Sequence, residues 1–374
     1  MREASRDGGH LWGIDVIRFV AAVLVAFFHL TWQEPSVAGI AWYGWVGVQI
    51  FFVISGVVIA RSADDTTPMR FMQSRILRLY PAAWVCAVIS LLFALSVYGW
   101  DPVFAARFVG SFLLCSPFLA SAYWTLPIEI AFYGLIFFVL MAGSFSRMER
   151  LAAALSIAST AYVIAYALQV AGLFSGPNLD LGYGWKNMTL LRHGIYFAAG
   201  IFISLWASGR LTRIGTAAFA LAAAAAPLEI ACRTAELVPK ARTHVDSLAE
   251  WTVPVTVWGI ALGAIILSAL WERAIKPPPA FFAAARAIGL ATYPLYLLHE
   301  QVGTAVRDVL IGGDVPLLSA VAAAVAGTSL LALGIALLLE PPLRDLTRCW
   351  LASLGEAAED VPWLGRLFRY GGTI

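Results

Sequence analysis

Long apolar runs, separated by short polar or basic segments, set the pattern of this 374-residue chain. Windows of about 20 apolar residues, the length that crosses a bilayer as a helix, fall near 14–32, 42–60, 80–98, 124–142, 151–171, 191–207, 214–231, 253–271, 288–308 and 317–339. The short alternating segments typical of a membrane β-barrel are not found in the sequence. The pattern therefore predicts an all-α polytopic membrane protein with about ten transmembrane helices.

The segment 103–120 is ambiguous, because it contains Arg107 and ends in a Cys-Ser-Pro sequence. The loops 61–79 and 143–150 are both basic, so the positive-inside rule places both in the cytoplasm. An even number of crossings must then lie between them, and the windows 80–98 and 124–142 already supply two. We therefore predict that 103–120 is re-entrant or interfacial. With both termini cytoplasmic, this topology leaves 18 of the 25 Lys and Arg residues inside.

The composition indicates a single membrane domain. Hydrophobic residues make up 60% of the chain and charged residues 13%, with a net charge of +2, whereas soluble domains carry about a quarter charged residues. We predict a membrane-bound domain over 1–345 and a short cytoplasmic C-terminal tail over 346–374, integral to the cell (cytoplasmic or inner) membrane. The four cysteines are widely spaced and the histidines isolated, so we expect no disulfide framework and no metal site. We expect no nucleic-acid partner, and a homo-oligomer is left open.

The first apolar run carries Arg18 near one end and His29 near the other. The separation of eleven positions turns a helix by about 1100°, which places both on one face, about 16.5 Å apart along the axis. Asp15 lies three residues before Arg18, placed to pair with it. A charge in a spanning helix costs about 3 kcal/mol at its centre, so this face suggests the wall of a tunnel. The alternative is that Arg18 snorkels to the membrane surface and that His29 is hydrogen-bonded to a neighbouring helix.

Six motifs, in this order, resemble the acyltransferase-3 family of integral-membrane sugar O-acyltransferases. They are Asp15-x-x-Arg18-x10-His29, GVQIFFVISG (47–56), RILRLYP (75–81), YWTLPIEIAFY (123–133), ATYPLYLLHE (291–300) and LEPPLR (339–344). Two departures stand out. Ile130 follows Glu129 where members commonly have a second acid, and we expect the chain to lack the C-terminal hydrolase-like domain that many members carry.

The resemblance implies transfer of an acyl group, with acetyl the group expected, from cytoplasmic acyl-CoA to a hydroxyl of a sugar-containing acceptor. Acyl-CoA is a co-substrate in this scheme, and no permanently bound cofactor is expected. Histidine titrates in the range that suits a general base, which makes His29 the candidate base. Arginine is well shaped to hold the phosphates of coenzyme A.

We assign the remaining candidate residues to three roles. His29, Arg18, Asp15 and Glu129 form the predicted catalytic set. The residues predicted to bind coenzyme A are Arg18, Arg75, Arg78, Ser55 and Gly56. For the acceptor we predict Glu129, Trp124, Tyr296 and His299, with Glu129 near the depth of His29, where it could also orient that ring. His299 and Tyr296 are expected in the middle of the ninth helix.

Two other hypotheses stay open at this point. A transporter or flippase for a lipid-linked sugar would use Arg18 and His29 as substrate or proton-relay residues. A covalent two-step enzyme would first acylate His29. A clear inverted repeat would favour transport, and we find no convincing correspondence between helices 1–5 and 6–10.

Overall fold

Every long apolar run of the sequence lies in helix in the computed structural model. The structure describes residues 11–34, 41–64, 66–116, 118–143, 147–181, 185–240, 249–271, 274–275 and 277–359. Within these ranges the regular structure is entirely helical. The helices are α1 (Trp12–Thr31), α2 (Gly47–Ala63), α3 (Pro68–Tyr98), α4 (Pro102–Leu113), α5 (Thr125–Met141), α6 (Met148–Val170), α7 (Gly194–Ala207), α8 (Arg213–Leu237), α9 (Ala249–Trp271), α10 (Pro279–Leu298), α11 (Gln301–Gly312), α12 (Leu317–Gly334) and α13 (Glu340–Glu359).

Ten helical segments of the described chain are long and apolar enough to cross a membrane, which confirms the predicted fold class. The segment 103–120 forms α4, whose 12 residues extend about 18 Å, well short of the roughly 30 Å of a hydrocarbon core. Asp101 caps this helix by accepting a hydrogen bond from the Val103 amide at 2.8 Å. A separate short helix is what a re-entrant or interfacial segment requires. The cytoplasmic placement of the termini stays a prediction.

The helices α2 and α7 form the buried centre of the bundle. Gly56 and Gly200 face each other there. A Cβ atom at Gly56 would lie 2.3 Å from the Phe197 carbonyl oxygen and 2.8 Å from Cα of Gly200. Small residues let two membrane helices approach this closely, and α1 packs against α2 and α10 around this centre.

The last two predicted helix positions need correction. The ninth span is 279–298 rather than 288–308, because α10 begins at Pro279, where proline is well tolerated, and is complete by Leu298. His299 therefore lies in a turn after α10 and not in the middle of a helix.

Pro341 and Pro342 do not end the last helix. They lie in the first turn of α13, where a missing backbone N–H costs little, and a π-helical turn at Ile335–Leu339 joins that helix to α12. The predicted boundary between domain and tail, 345/346, falls inside α13, which packs against α3. Residues 360–374 of the predicted tail lie outside the described residues.

Candidate active site

A cavity of about 470 Å³ lies at the end of the bundle where α1 begins. Five guanidinium side chains line it, from Arg18 on α1, Arg75 and Arg78 on α3, and Arg344 and Arg348 on α13. Residues three or four apart share one face of a helix, so α3 and α13 each present two arginines. We call this space the arginine cavity. It brings together the three arginines predicted from the sequence and adds two that were not predicted.

Aromatic rings flank the two arginines of α3. Cζ of Arg75 lies 5.5 Å from the ring centroid of Phe71 and 5.9 Å from that of Tyr133, and Cζ of Arg78 lies 5.9 Å from that of Tyr293. Such cation–π contacts orient a guanidinium without using its N–H groups. Nε of Arg75 donates to Ser74 Oγ at 3.1 Å, and the aromatic contacts leave the other guanidinium N–H groups able to bind an anionic ligand.

The predicted pairing of Asp15 with Arg18 is present, with Oδ1 and Nη1 3.7 Å apart. Asp15 is buried and packs against Gly289 of α10, where an added Cβ would lie 2.4 Å from Cγ of the carboxyl group. Asp15 therefore holds Arg18 in place, and Arg18 rather than Asp15 lines the cavity.

Glu129 lines the arginine cavity and does not contact His29 in the described structure. Its Oε1 accepts hydrogen bonds from Ser55 Oγ at 3.2 Å and from the Tyr133 hydroxyl at 2.5 Å. Thr125 donates to the Tyr296 hydroxyl at 3.2 Å on the same cavity wall. Glu129 and His29 therefore line different cavities of the bundle.

A second cavity, of about 530 Å³, lies at the end of the bundle where α1 finishes. His29 lines it together with three tryptophans, Trp32, Trp45 and Trp124. Nε1 of Trp45 is buried with no hydrogen-bond partner among the described residues. We call this space the histidine cavity. The predicted acceptor residue Trp124 lies here, whereas Glu129 and Tyr296 lie on the other side.

His29 and His299 are in direct contact across 270 residues of sequence. Nε2 of His299 lies 2.9 Å from Nδ1 of His29. Nδ1 of His299 lies 2.7 Å from the Tyr296 carbonyl oxygen, which can only accept, so this nitrogen carries a proton and Nε2 is the acceptor in a neutral ring. Nδ1 of His29 then donates to His299, and also faces the Val25 carbonyl oxygen at 3.1 Å. The arrangement leaves Nε2 of His29 as an unprotonated nitrogen on the cavity side.

His299 is almost wholly buried and lines neither of these two cavities. Burial lowers the pKa of His299, which follows the end of α10, to about 3, and the neighbouring His29 acts in the same direction. His299 is therefore neutral at ordinary pH, and its Nε2 stays available to accept the hydrogen bond from His29. Its contact with His29 makes it a positioning residue in the structure, beside the acceptor role that the sequence suggested.

The two cavities are neighbours, since Val48 lines both. The adjacent residues Trp124 and Thr125 face different cavities, the first on the histidine side and the second on the arginine side. Arg18 and His29 are separated by about 16.5 Å along α1. The arginines and His29 therefore lie in neighbouring cavities that share Val48.

Gly56 was predicted to bind coenzyme A, but it occupies a packing position between two helices. It packs against α7 and lines neither cavity, while its neighbour Ser55 does line the arginine cavity. Sequence reasoning also missed His193, which is buried on the wall of the histidine cavity beside Phe52, at 5.0 Å between ring centroids. No group of three or more His, Cys, Asp or Glu side chains in the described chain could hold a metal ion.

The architecture defines a class, a multi-pass membrane protein with two neighbouring cavities inside the bundle. The profile of one family, described as an acyltransferase domain, matches residues 11–339, and this chain belongs to that acyltransferase-3 family. The resemblance drawn from the six motifs is thereby confirmed.

Two curated relatives are similar over part of the chain. One, from Komagataeibacter xylinus, is named as a membrane-bound transacylase, BcsY, and is 31% identical over 177 residues, 41% of this chain and 43% of the relative. The other is named O-acetyl transferase, from Shigella phage Sf6, and is 35% identical over 91 residues, 23% of this chain and 26% of the relative. The chain therefore covers less than half the length of these relatives. No solved structure matches it.

Proposed function

We propose that this protein is a membrane O-acyltransferase that moves an acyl group, most simply acetyl, from acyl-CoA to a hydroxyl of a sugar-containing acceptor. One observation carries the proposal. A cavity lined by five arginines shares the lining residue Val48 with a cavity that holds an oriented histidine and three tryptophans. Family membership and the names of the two relatives support an acyl transfer of this kind.

The arginine cavity is suited to the donor. Coenzyme A carries several phosphate groups, and guanidinium groups bind phosphate oxygens through paired, charge-assisted hydrogen bonds. Arg75 and Arg78 are the central candidates, because aromatic contacts orient both. If this end faces the cytoplasm, as the basic loops predict, acyl-CoA reaches the cavity from the compartment where it is made. The pantetheine arm then extends along α1 toward His29.

The reaction assigned to His29 is general-base catalysis. Nε2 takes the proton of the acceptor hydroxyl as the hydroxyl oxygen attacks the thioester carbonyl carbon. The tetrahedral intermediate collapses by breaking the carbon–sulfur bond, and the departing coenzyme A thiolate receives the proton from His29. His299 holds His29 in the tautomer that this step needs, since it accepts the hydrogen bond from Nδ1.

The histidine cavity is suited to a sugar. Tryptophan rings offer flat apolar surfaces with a polar N–H at the edge, and sugars present both C–H faces and hydroxyl groups. Trp32, Trp45 and Trp124 line this cavity with His29. The unpartnered Nε1 of Trp45 is a donor that a bound hydroxyl oxygen would satisfy.

The test compares surface glycans from a host strain with and without the gene, by mass spectrometry. We expect the glycan to persist but to lose the mass of one acyl group, and wild-type protein to restore it while His29→Gln does not. An exposed basic residue that lines neither cavity provides a matched control, and Arg107→Gln should restore acylation fully. Unchanged glycans would contradict the proposal. A glycan missing altogether from the surface would instead indicate a flippase.

A further inference from the structure

The histidine cavity has a basic wall that the acyl-transfer step does not use. Arg192, Arg233 and Lys240 line it, opposite one lining carboxylate, Glu300. Oε2 of Glu300 is occupied by Ser121 Oγ at 2.7 Å and by the Ala122 amide at 3.2 Å. Among the described residues, the charged groups that line this wall are therefore three cations and one hydrogen-bonded carboxylate.

Arg192 is held in place by a buried ion-pair network. Its Nε lies 2.6 Å from Glu229 Oε1 and its Nη1 lies 2.7 Å from Glu236 Oε1, and only 3% of the residue is exposed. Arg233 donates to the second oxygen of Glu236 at 2.8 Å. Neither carboxylate lines the cavity. The two acids thus hold the arginines in place, and the guanidinium side chains rather than the carboxylates line the cavity.

One donor in this network is unsatisfied. Nη2 of Arg192 is buried with no hydrogen-bond partner in the described part of the chain, and Nδ1 of the neighbouring His193 is likewise without one. Buried polar atoms in folded proteins are almost always paired, and leaving a charged donor unpaired is costly. A ligand oxygen bound at this wall would supply the missing acceptor.

A neutral sugar alone does not account for these features. Hydroxyl groups need donors and acceptors but gain little from a rigid pair of guanidiniums, whereas oxyanions fit that geometry well. Long basic side chains are also scarce on this side of the protein in the predicted topology, where 7 of the 25 Lys and Arg residues lie. Three of them converge on this one cavity.

Resting on the proposed function, we propose that the acceptor carries an oxyanion, a phosphate ester or a carboxylate, bound by Arg192, Arg233 and Lys240. The tryptophans contact the sugar ring, and the basic wall holds the anionic group so that a free hydroxyl points toward His29. Neutral saccharides of the same size are then poor acceptors.

The experiment measures binding to purified protein in lipid nanodiscs at fixed ionic strength, by titration calorimetry. Coenzyme A is present at saturation so that it occupies the arginine cavity. The probes are methyl glucoside, glucuronic acid and glucose 1-phosphate, which share a ring and differ in charge. We expect an anionic probe to bind at least about tenfold more tightly than the neutral one, and Arg233→Gln to remove about that factor. The anionic probe that binds more tightly identifies the source of the oxyanion.

Arg233→Gln and Lys240→Gln are the informative variants, because Arg192→Gln strands the buried Glu229 and can fail to fold. Arg107→Gln, an exposed basic residue away from the cavity, should keep the full preference. Equal affinity for neutral and anionic probes, or a preference that survives both variants, would overturn the inference. Coenzyme A binding is scored separately in the same samples. If the wild-type protein does not bind coenzyme A, the result counts against the proposed donor. If it binds coenzyme A but has equal affinity for the neutral and anionic probes, only the anionic acceptor is overturned.

Discussion

The contact between His299 and His29 allows the positioning of the base to be tested apart from the base itself. Replacing His299 with leucine removes the acceptor that lies 2.9 Å from Nδ1 of His29. A buried donor that loses its partner costs about 1–3 kcal/mol, or about 5- to 150-fold in a rate that depends on it. The Val25 carbonyl oxygen, 3.1 Å from the same Nδ1, still accepts, so the effect should fall at the low end. We expect His299→Leu to lower kcat about 5- to 30-fold.

The assay is transfer from radiolabelled acyl-CoA in proteoliposomes, with KM for acyl-CoA measured alongside kcat. His299→Gln, whose amide oxygen can accept the same hydrogen bond, should recover most of the rate, and KM should stay unchanged in both variants. With a pKa of about 3, His299 remains neutral as the pH falls, so an acid-side loss of activity should persist in His299→Gln. A wild-type kcat in His299→Leu would refute the positioning role. A parallel loss of coenzyme A binding would show that His299 is merely structural.

Three further predictions follow from the placement of other residues. Arg75→Ala and Arg78→Ala should each weaken coenzyme A binding about 10- to 150-fold, and lysine at either position should restore only part of the affinity. Arg70→Ala, on the same helix but outside the cavity, should leave binding unchanged. If calorimetry gave both alanine variants the wild-type affinity for coenzyme A, the phosphate role would be excluded. Gly56→Ala should lower the melting temperature in detergent, because its Cβ would meet backbone atoms of α7; a loss of coenzyme A binding without destabilisation would instead support the binding role predicted from the sequence. In a cysteine-free background, a cysteine at position 150 should react with a membrane-impermeant maleimide only from the cytoplasmic side, and labelling from outside would overturn the topology.

Much of the architecture could be predicted because it depends on local properties of the chain. Span length and hydropathy identify ten membrane segments without any knowledge of packing. Helical geometry alone places Arg18 and His29 on one face of α1, and the structure puts them at the two cavities. Arg75 and Arg78 were predictable from the same short-range spacing.

The remaining features depend on long-range contacts or on irregular backbone. The pairing of His29 with His299 joins two distant segments, and the turn after α10 that makes it possible begins where a helix was expected to continue. Arg348 falls in the predicted tail 346–374, and the π-helical turn that leads into its helix is not visible in the sequence. Arg192 could have been noticed as a basic residue at the start of an apolar run, a position that is costly unless the charge is paired.

The central claim, that His29 is the base in acyl transfer from acyl-CoA to a glycan, is tested most directly by one comparison. Wild-type protein and His29→Gln are reconstituted side by side, and label from radioactive acetyl-CoA is followed into the acceptor glycan, with coenzyme A binding measured on the same samples. A positioned general base contributes about 10²- to 10⁴-fold to a rate, so His29→Gln should lose transfer by that factor while it binds coenzyme A like the wild type. Near-normal transfer by His29→Gln would contradict the account.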